Sequence, residues 1–163
     1  MALSSILDRV FDESISIRPA TGADQGAISR LIREARLDPR DLDWHRFLVA
    51  DAGAGVVGCA QVRVHSRGVR ELASVAVTPG RQRSGIGGRL VESILAQEPG
   101  VLYLMTRRET EGYFERFGFR RVAAADAPAD FRRQFRIGSV ITTLISPLAR
   151  RRIRIVPMRR SAS

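Results

Sequence analysis

The sequence predicts an α/β (α+β) fold with a mixed, mostly antiparallel sheet of about six to seven strands. Three observations support this class. Before residue 77, short segments that alternate in polarity are separated by Gly-rich turns, which is typical of an antiparallel meander. A glycine-rich segment then opens an amphipathic helix at Gly85–Gln97. The wholly apolar run Val101–Met105 follows that helix and indicates a central buried strand.

The remaining elements are predicted in the same way, from alternating polarity for strands and from helical spacing of apolar residues for helices. A helix begins after Thr21 and Asp24, which have capping-box spacing, and it stops before Pro39. One face of this helix carries four apolar residues at helical spacing: Ile28, Leu31, Ile32 and Ala35. The predicted strands are Ser14–Arg18, Arg46–Asp51, Val56–His65, Glu71–Val77, Val101–Met105, Phe119–Val122 and Arg152–Met158. Residues 1–13 are interpreted as a weakly structured lead-in.

The C-terminal half gives fewer clear signals. Thr106 and Glu109 have capping-box spacing for a further helix, and Gly118 is the expected left-handed residue at its end. Residues 123–149 are the least readable. Pro157 cannot donate to a ladder, so the final strand is expected to end or bulge near it. We expect this strand to be exposed, and it could pair with a second subunit in a homodimer.

The length of 163 residues predicts a single domain: a core at 14–122, a C-terminal segment at 123–158 that closes the sheet, and a basic tail at 159–163. No apolar run reaches about 18 residues, so no membrane span is expected. The N-terminal segment is broken by Asp8 and Arg9 and lacks the features of a secretory signal. Cys59 is the only cysteine, which excludes an intramolecular disulfide. A cytoplasmic protein is the simplest interpretation.

The charge balance is strongly basic. The net charge is +10, the 27 basic residues are all arginine, and residues 150–163 hold six of them and no acid. We interpret these six as a solvated end of the chain. A nucleic-acid surface is the alternative, but no aromatic stacking pattern or nucleic-acid motif accompanies the arginines.

The segment Gln82–Gly88 has the composition of an anion site. It lies between the predicted strand Glu71–Val77 and the start of a helix, where unpaired amides and a partial positive charge favour phosphate. Arg81 and Arg83 add attraction for an anion. The segment is neither a Walker loop, because no Gly-Lys-Ser/Thr follows, nor a dinucleotide fingerprint, because the third glycine is not at the required offset.

Two motifs resemble those of the GNAT (general N-acetyltransferase) superfamily. Val77-Thr78-Pro79-x-x-Gln82-x-x-Gly85-Ile86-Gly87-Gly88-x-Leu90 resembles motif A, and Tyr113-Phe114-Glu115-Arg116-Phe117-Gly118-Phe119 resembles motif B. The acetyltransferase domain of N-acetylglutamate synthases is similar around the second motif. The resemblance implies the GNAT fold, whose sheet splays between the fourth and fifth strands and carries helices on both faces.

The resemblance also implies acetyl-CoA as acyl donor and no metal. In the family, main-chain groups near Val75 and Val77 pair with the pantetheine arm, and the amides of the glycine-rich segment bind the pyrophosphate. Carried over to this sequence, the cofactor residues are Val75, Ala76, Val77, Gln82, Arg83, Ser84, Gly85, Ile86, Gly87, Gly88 and Phe114.

Glu71 is the candidate general base, as in family members that use a glutamate at this point of the strand. Counting along an alternating strand puts its carboxylate on the same side of the sheet as Ala73 and Val75. The alternative, to which we give equal weight, is that Glu71 is a strand-end residue that forms an ion pair with Arg70 or Arg63.

The general acid has several candidates. The family places Phe-Tyr before the Glu-x-x-Gly-Phe, whereas this sequence reads Tyr113-Phe114, so Phe114 takes the usual tyrosine position. Tyr113 is the catalytic candidate by resemblance, and because one helical position is a rotation of about 100°, its hydroxyl is displaced. Tyr103 is a second candidate. Direct attack without a dedicated acid is a third solution, because a thiolate is a tolerable leaving group.

The most consistent function is acetyl-CoA-dependent transfer of an acetyl group to a primary amine of a small molecule or amino acid. Two alternatives stay open: a CoA-binding regulatory module with little turnover, and a protein or peptide N-acetyltransferase. Cys59 is expected to be a buried structural thiol, and His45 and His65 lack metal-ligand spacing. The basic and aromatic residues Phe131–Arg136 lie where the family builds its acceptor wall, and arginine there suits a carboxylate.

Overall fold

The computed structural model describes residues 15–133 and 154–162. Seven strands form one sheet: β1 Ser16–Pro19, β2 Phe47–Asp51, β3 Val56–Val64, β4 Arg70–Val77, β5 Leu102–Arg107, β6 Arg120–Arg121 and β7 Ile155–Arg160. The helices are α1 Gln25–Glu34, α2 Ile86–Gln97 and α3 Glu111–Glu115, and residues 129–133 are also helical. The predicted lead-in at 1–13 lies outside the described residues, and so does 134–149 of the segment that was least readable from the sequence.

The strand order is β1-β2-β3-β4-β5-β7-β6. The pairs β1–β2, β2–β3, β5–β7 and β6–β7 are antiparallel, whereas β4 and β5 are parallel. The β4–β5 ladder has two positions, Arg70 with Leu102 and Glu71 with Tyr103. The predicted mixed and mostly antiparallel sheet is therefore confirmed. None of the helices in the described part of the chain is long and apolar enough to cross a membrane.

The chain divides into two compact units. The first contains residues up to 61 together with 74–97, and the second contains 62–73 together with everything from residue 98 onward. The long strands β3 and β4 contribute residues to both units. The prediction of a single domain stays a prediction.

The first unit has its core between α1 and the β1–β3 strands. As the helical spacing predicts, Ile28, Leu31 and Ile32 are buried, and they join Phe47 and Val49 in one hydrophobic cluster. The capping box is present, because the backbone amide of Thr21 donates to the Asp24 carboxylate at 2.8 Å. Burying the apolar stripe of α1 supplies most of this helix's stability.

The second unit is built on β5 and β7. Leu102 and Leu104 of β5 and Met158 of β7 are almost fully buried. The predicted central strand is thus confirmed, with β4 and β7 as its neighbours.

The final strand differs from expectation. It neither ends nor bulges at Pro157, which pairs with Met105 in an unbroken register. In an antiparallel strand, the N–H and C=O of one residue point to the same side. The Pro157 carbonyl accepts from the Val122 amide at 3.1 Å, so the missing N–H lies on the side away from β5. The β5–β7 ladder therefore loses no hydrogen bond.

The final strand is also not an exposed edge. It is flanked by β5 on one side and β6 on the other, where Arg120 pairs with Arg159 and Arg121 with Met158. Arg159 and Arg160, which were assigned to a basic tail, are strand residues. The expectation that the final strand is an exposed edge is therefore wrong, and the possible homodimer stays a prediction.

The Thr106 capping box is wrong as well. Pairing with β7 extends β5 to Arg107, so Thr106 is a buried strand residue, and its hydroxyl contacts that of Thr110 at 2.7 Å. A short 3-10 turn, Arg108–Thr110, then leads into α3. Gly118 has φ +84°, which confirms the expected left-handed glycine after this helix.

Candidate active site

The glycine loop, defined as residues 82–88, ends in the first turn of α2. The first residue whose amide bonds back within this turn is Arg89, which donates to the Gly85 carbonyl at 3.0 Å. The amides of the three residues before it, from Ile86 to Gly88, have no intrahelical acceptor. Arg83 and Gly85 both have left-handed backbones, with φ +63° and +88°. Residues 82–85 are exposed, Ile86 is buried, and Gly87 and Gly88 are half-buried. A helix start that follows an exposed glycine-containing segment is a favourable place for an anion.

Two polar side chains of the loop donate hydrogen bonds to backbone carbonyls that precede the loop. Gln82 Nε2 donates to the Val77 carbonyl at 3.2 Å, and the Ser84 hydroxyl donates to the Arg81 carbonyl at 2.6 Å. The loop is joined to β4 through a 3-10 turn, Pro79–Arg81. The main-chain amide of Gln82 donates to the Pro79 carbonyl at 3.4 Å. Two of the predicted cofactor residues, Gln82 and Ser84, therefore shape the loop through their side chains.

A β-bulge interrupts β4 at Ser74, which has φ +58°. Thr78 pairs with Val57 and Val69 with His65, and between these bonds β4 has one residue more than β3. The Ser74 hydroxyl accepts from Gln61 Nε2 at 2.9 Å. Side-chain alternation is not maintained across a bulge, so the count that put Glu71 and Val75 on the same side of the sheet is not valid.

The cofactor residues of β4 lie after this bulge. Ala76 is buried in the core of the first unit, and Val75 and Val77 are half-buried. Their main-chain groups are the part that the family resemblance assigns to the cofactor.

Glu71 is buried, and its carboxylate is paired with a histidine. Its Oε2 lies 2.9 Å from Nε2 of His65, and the side chains of Glu71 and His65 are 3% and 5% exposed. In the tautomer with its proton on Nε2, His65 donates this hydrogen bond to the Glu71 carboxylate. Sequence reasoning missed this pair, because it considered His65 only for metal-ligand spacing, which His65 lacks.

The alternative pairing of Glu71 with Arg70 does not occur. Arg70 forms a bidentate ion pair with Glu98, and this pairing raises the pKa of the Arg70 guanidinium. Arg63, the other alternative, is buried on β3. Val64, between Arg63 and His65, is 52% exposed, so at this end of β3 the polar face is the buried one.

Three further residues complete the surroundings of the pair. Tyr103 is opposite Glu71 in the parallel ladder, so their side chains lie on the same face of the sheet. The Phe131 ring is 5.3 Å from the Tyr103 ring and meets the His65 ring edge-on at 6.2 Å. Asp130 accepts from the Ser66 hydroxyl at 2.7 Å, a bond that lowers the pKa of the Asp130 carboxyl.

The two motif B aromatics are half-buried, and their rings meet each other edge-on at 5.0 Å. The Phe114 ring meets the buried Phe119 ring edge-on at 6.3 Å. Tyr113 contacts Phe117, and the Arg116 guanidinium lies over the Tyr113 ring at 4.3 Å.

The other singled-out residues have no catalytic surroundings. Cys59 is fully buried, and burial raises the pKa of its thiol to about 12, which confirms a structural thiol. His45 is exposed and pairs with Asp43. Within residues 15–133 and 154–162, no group of three or more His, Cys, Asp or Glu residues is arranged to hold a metal.

A family model described as acetyltransferase (GNAT) domain matches residues 43–121. An uncharacterized N-acetyltransferase of Chlorobaculum tepidum is 30% identical over 117 residues, covering 65% of this chain and 76% of that protein. An amino-acid acetyltransferase of Ralstonia nicotianae is 33% identical over 135 residues, which cover 73% of this chain and 29% of that protein. This chain thus spans less than a third of the Ralstonia protein.

Solved structures give the same fold. N-acetylglutamate synthase of Neisseria gonorrhoeae, complexed with coenzyme A and N-acetyl-glutamate, superposes with a TM-score of 0.74 at 21% identity over 91% of this chain and 35% of that one. A Mycobacterium tuberculosis protein solved with CoA superposes with a TM-score of 0.69 at 25% identity over 91% of this chain and 99% of that one.

The matched family model and the Chlorobaculum relative assign the chain to the N-acetyltransferase class. The chain belongs to the GNAT acetyltransferase family.

Proposed function

We propose that this protein transfers an acetyl group from acetyl-CoA to the primary amine of an amino acid. The observation that carries the proposal is the glycine loop, in which exposed residues 82–85 lead into the first turn of α2, whose unpaired amides suit a pyrophosphate. The Mycobacterium tuberculosis relative solved with CoA supports the donor. The amino-acid acetyltransferase of Ralstonia nicotianae supports the acceptor class.

Each cofactor residue has a proposed role. The amides of residues 83–88 bind the pyrophosphate, the Gln82 side chain supports the loop, and Arg83 adds a positive charge on an exposed residue of the loop. Main-chain groups of Val75, Ala76 and Val77 bind the pantetheine arm, and Phe114 is a further cofactor residue by the family resemblance. When bound, acetyl-CoA supplies an acetyl group activated as a thioester.

Glu71 is the proposed base. An ammonium group cannot attack, so the acceptor must lose a proton, and a carboxylate is the group that accepts it. Glu71 is shielded from water, and its hydrogen bond with Nε2 of His65 orients Oε2. No acid is required for the leaving thiolate, since an ordinary thiol has a pKa of about 8.5.

The test is thiol release from acetyl-CoA, measured with each proteinogenic amino acid and with a set of simple primary amines. Steady release with at least one free amino acid, and a product heavier by one acetyl group, is expected. Release with peptide N-termini alone would replace the acceptor with a protein. Release with no acceptor at all, although acetyl-CoA binds, would favour a regulatory module.

A further inference from the structure

We propose that His65 is a positioning residue for Glu71, which it holds in the orientation needed to take the proton of the acceptor amine. This inference rests on the proposed function, because it takes Glu71 as the base. The two side chains are joined by one 2.9 Å contact from Nε2 to Oε2, and neither is more than 5% exposed.

The burial of the pair gives the hydrogen bond its importance. Water does not compete for a bond between two side chains that are almost fully covered, so the bond determines the direction of the carboxylate. A glutamate without such a partner rotates freely about its terminal torsion. Misplacement of a reacting group by about 1 Å can cost about 100-fold in rate.

His65 is itself held by two residues that are distant in sequence, Asp130 and Phe131. Asp130 accepts from the Ser66 hydroxyl at 2.7 Å and from the Arg67 amide at 3.1 Å, which fixes the turn directly after His65. Phe131, fully buried, meets the imidazole edge-on. Two consecutive residues thus hold both the backbone and the ring of the histidine.

Other charged or polar groups lie on the elements around the pair: Arg63 of β3, Arg67 of the turn, Arg70 of β4 with its partner Glu98, Tyr103 of β5 and Asp130.

The substitutions that test this role are His65→Leu and His65→Gln, each made in the wild-type protein and in the Glu71→Gln variant. His65→Leu is expected to lower kcat by about 100-fold with the KM for acetyl-CoA unchanged within about twofold. Gln retains an N–H donor and is expected to restore kcat to within about tenfold of wild type. In the Glu71→Gln background, His65→Leu should cost no more than about twofold.

His45→Gln is the matched control, because His45 is an exposed histidine outside the proposed site, and its activity is expected to stay within about twofold of wild type. Nitrogen-15 NMR of the His65 ring provides a readout that needs neither turnover nor a variant. The neutral ring is expected to carry its proton on Nε2, and a proton on Nδ1 instead would overturn the proposal.

Equal losses from His65→Leu in both backgrounds, or no loss in the wild-type background, would also overturn the positioning role and leave the proposed function intact. Absence of thiol release by the wild-type protein with every acceptor would instead overturn the proposed function, and the positioning role with it.

Discussion

A β-carbon added to Gly58 would lie 3.1 Å from the carbonyl oxygen of Ala76. The same β-carbon would be 3.2 Å from side-chain carbons of Ile86 and Leu90, both on α2. The glycine is therefore what allows α2 to pack directly on the sheet of the first unit. Since α2 begins at the glycine loop, this close approach also sets the position of the loop amides.

Replacing Gly58 by Ala is accordingly expected to lower the free energy of unfolding by about 1–3 kcal/mol, because backbone on one side and α2 on the other leave no room for the methyl group. Denaturant unfolding measures the change. Gly26→Ala is the matched control, because nothing lies within 4 Å of that position on α1, and it is expected to stabilise by up to about 1 kcal/mol. Equal effects of the two substitutions would contradict the packing account.

Asp24 is expected to make the free energy of unfolding depend on pH in the acidic range. Its carboxylate accepts from both terminal nitrogens of Arg18, and this holds the pKa of Asp24 well below its ordinary value of 3.8. A depressed folded pKa stabilises the protein fully above roughly pH 5, and the contribution is lost as pH falls through the folded value.

Asp24→Asn is therefore expected to lower the unfolding free energy by about 1–2 kcal/mol at neutral pH and to flatten its fall between roughly pH 5 and 2. Unfolding curves recorded across this range test both effects. Glu34→Gln, which removes a 4.0 Å pair with Arg30 on the exposed face of α1, should change stability by less than about 0.5 kcal/mol. If the unfolding free energy of Asp24→Asn falls with pH as steeply as that of wild type, Asp24 is not a major source of the pH dependence.

Much of the fold follows from local patterns. The meander, the helix stripe of Ile28 and Leu31, and the glycine loop are each encoded within about a dozen residues, and each occurs as predicted. The failures involve pairing between distant segments. Thr106 was predicted as a helix cap, but it is a strand residue because β7, about 50 residues later, extends β5. Pro157 remains within β7 because its missing N–H lies on the side of β6, and β6 has only the two residues Arg120 and Arg121.

In the candidate site, too, the local features were predictable from the sequence and the contacts between distant residues were not. Glycines at a helix start are visible in sequence, and so is Glu71 by resemblance. The bulge at Ser74 is not, because serine is seldom left-handed. The His65–Glu71 pair could have been suspected from its position, since the two residues flank a hairpin turn that closes with a His65–Val69 bond. The contribution of Phe131 depends on a contact that no local pattern encodes.

Glu71→Gln is expected to lower turnover about 10²- to 10⁴-fold at neutral pH, with a smaller loss at high pH where the acceptor amine is deprotonated without help. The measurement is kcat against pH for the variant and the wild type. Glu92→Gln, on the exposed side of α2, is the control and is expected to retain full activity. A loss for Glu71→Gln of the same size at every pH would rule out the role as base.

Tyr113→Phe tests whether a general acid is needed. The substitution removes only the hydroxyl and keeps the ring contacts with Phe114 and Phe117. Turnover is expected to stay within about tenfold of wild type, because the thiolate can leave without a proton. Kinetics with a saturating acceptor provide the measurement. A loss of about 100-fold or more, with acetyl-CoA affinity unchanged, would instead identify Tyr113 as the acid.

Calorimetric titration with acetyl-CoA tests the central claim most directly, namely that the glycine loop binds the acyl donor. The wild-type protein is expected to bind with a Kd below about 1 mM. Gly85→Ala forces a side chain into a left-handed position, φ +88°, and should weaken binding at least about tenfold. Gly80→Ala, just before the loop with nothing within 4 Å, should bind like wild type. No detectable binding at millimolar acetyl-CoA, or equal affinity for all three proteins, would contradict the account.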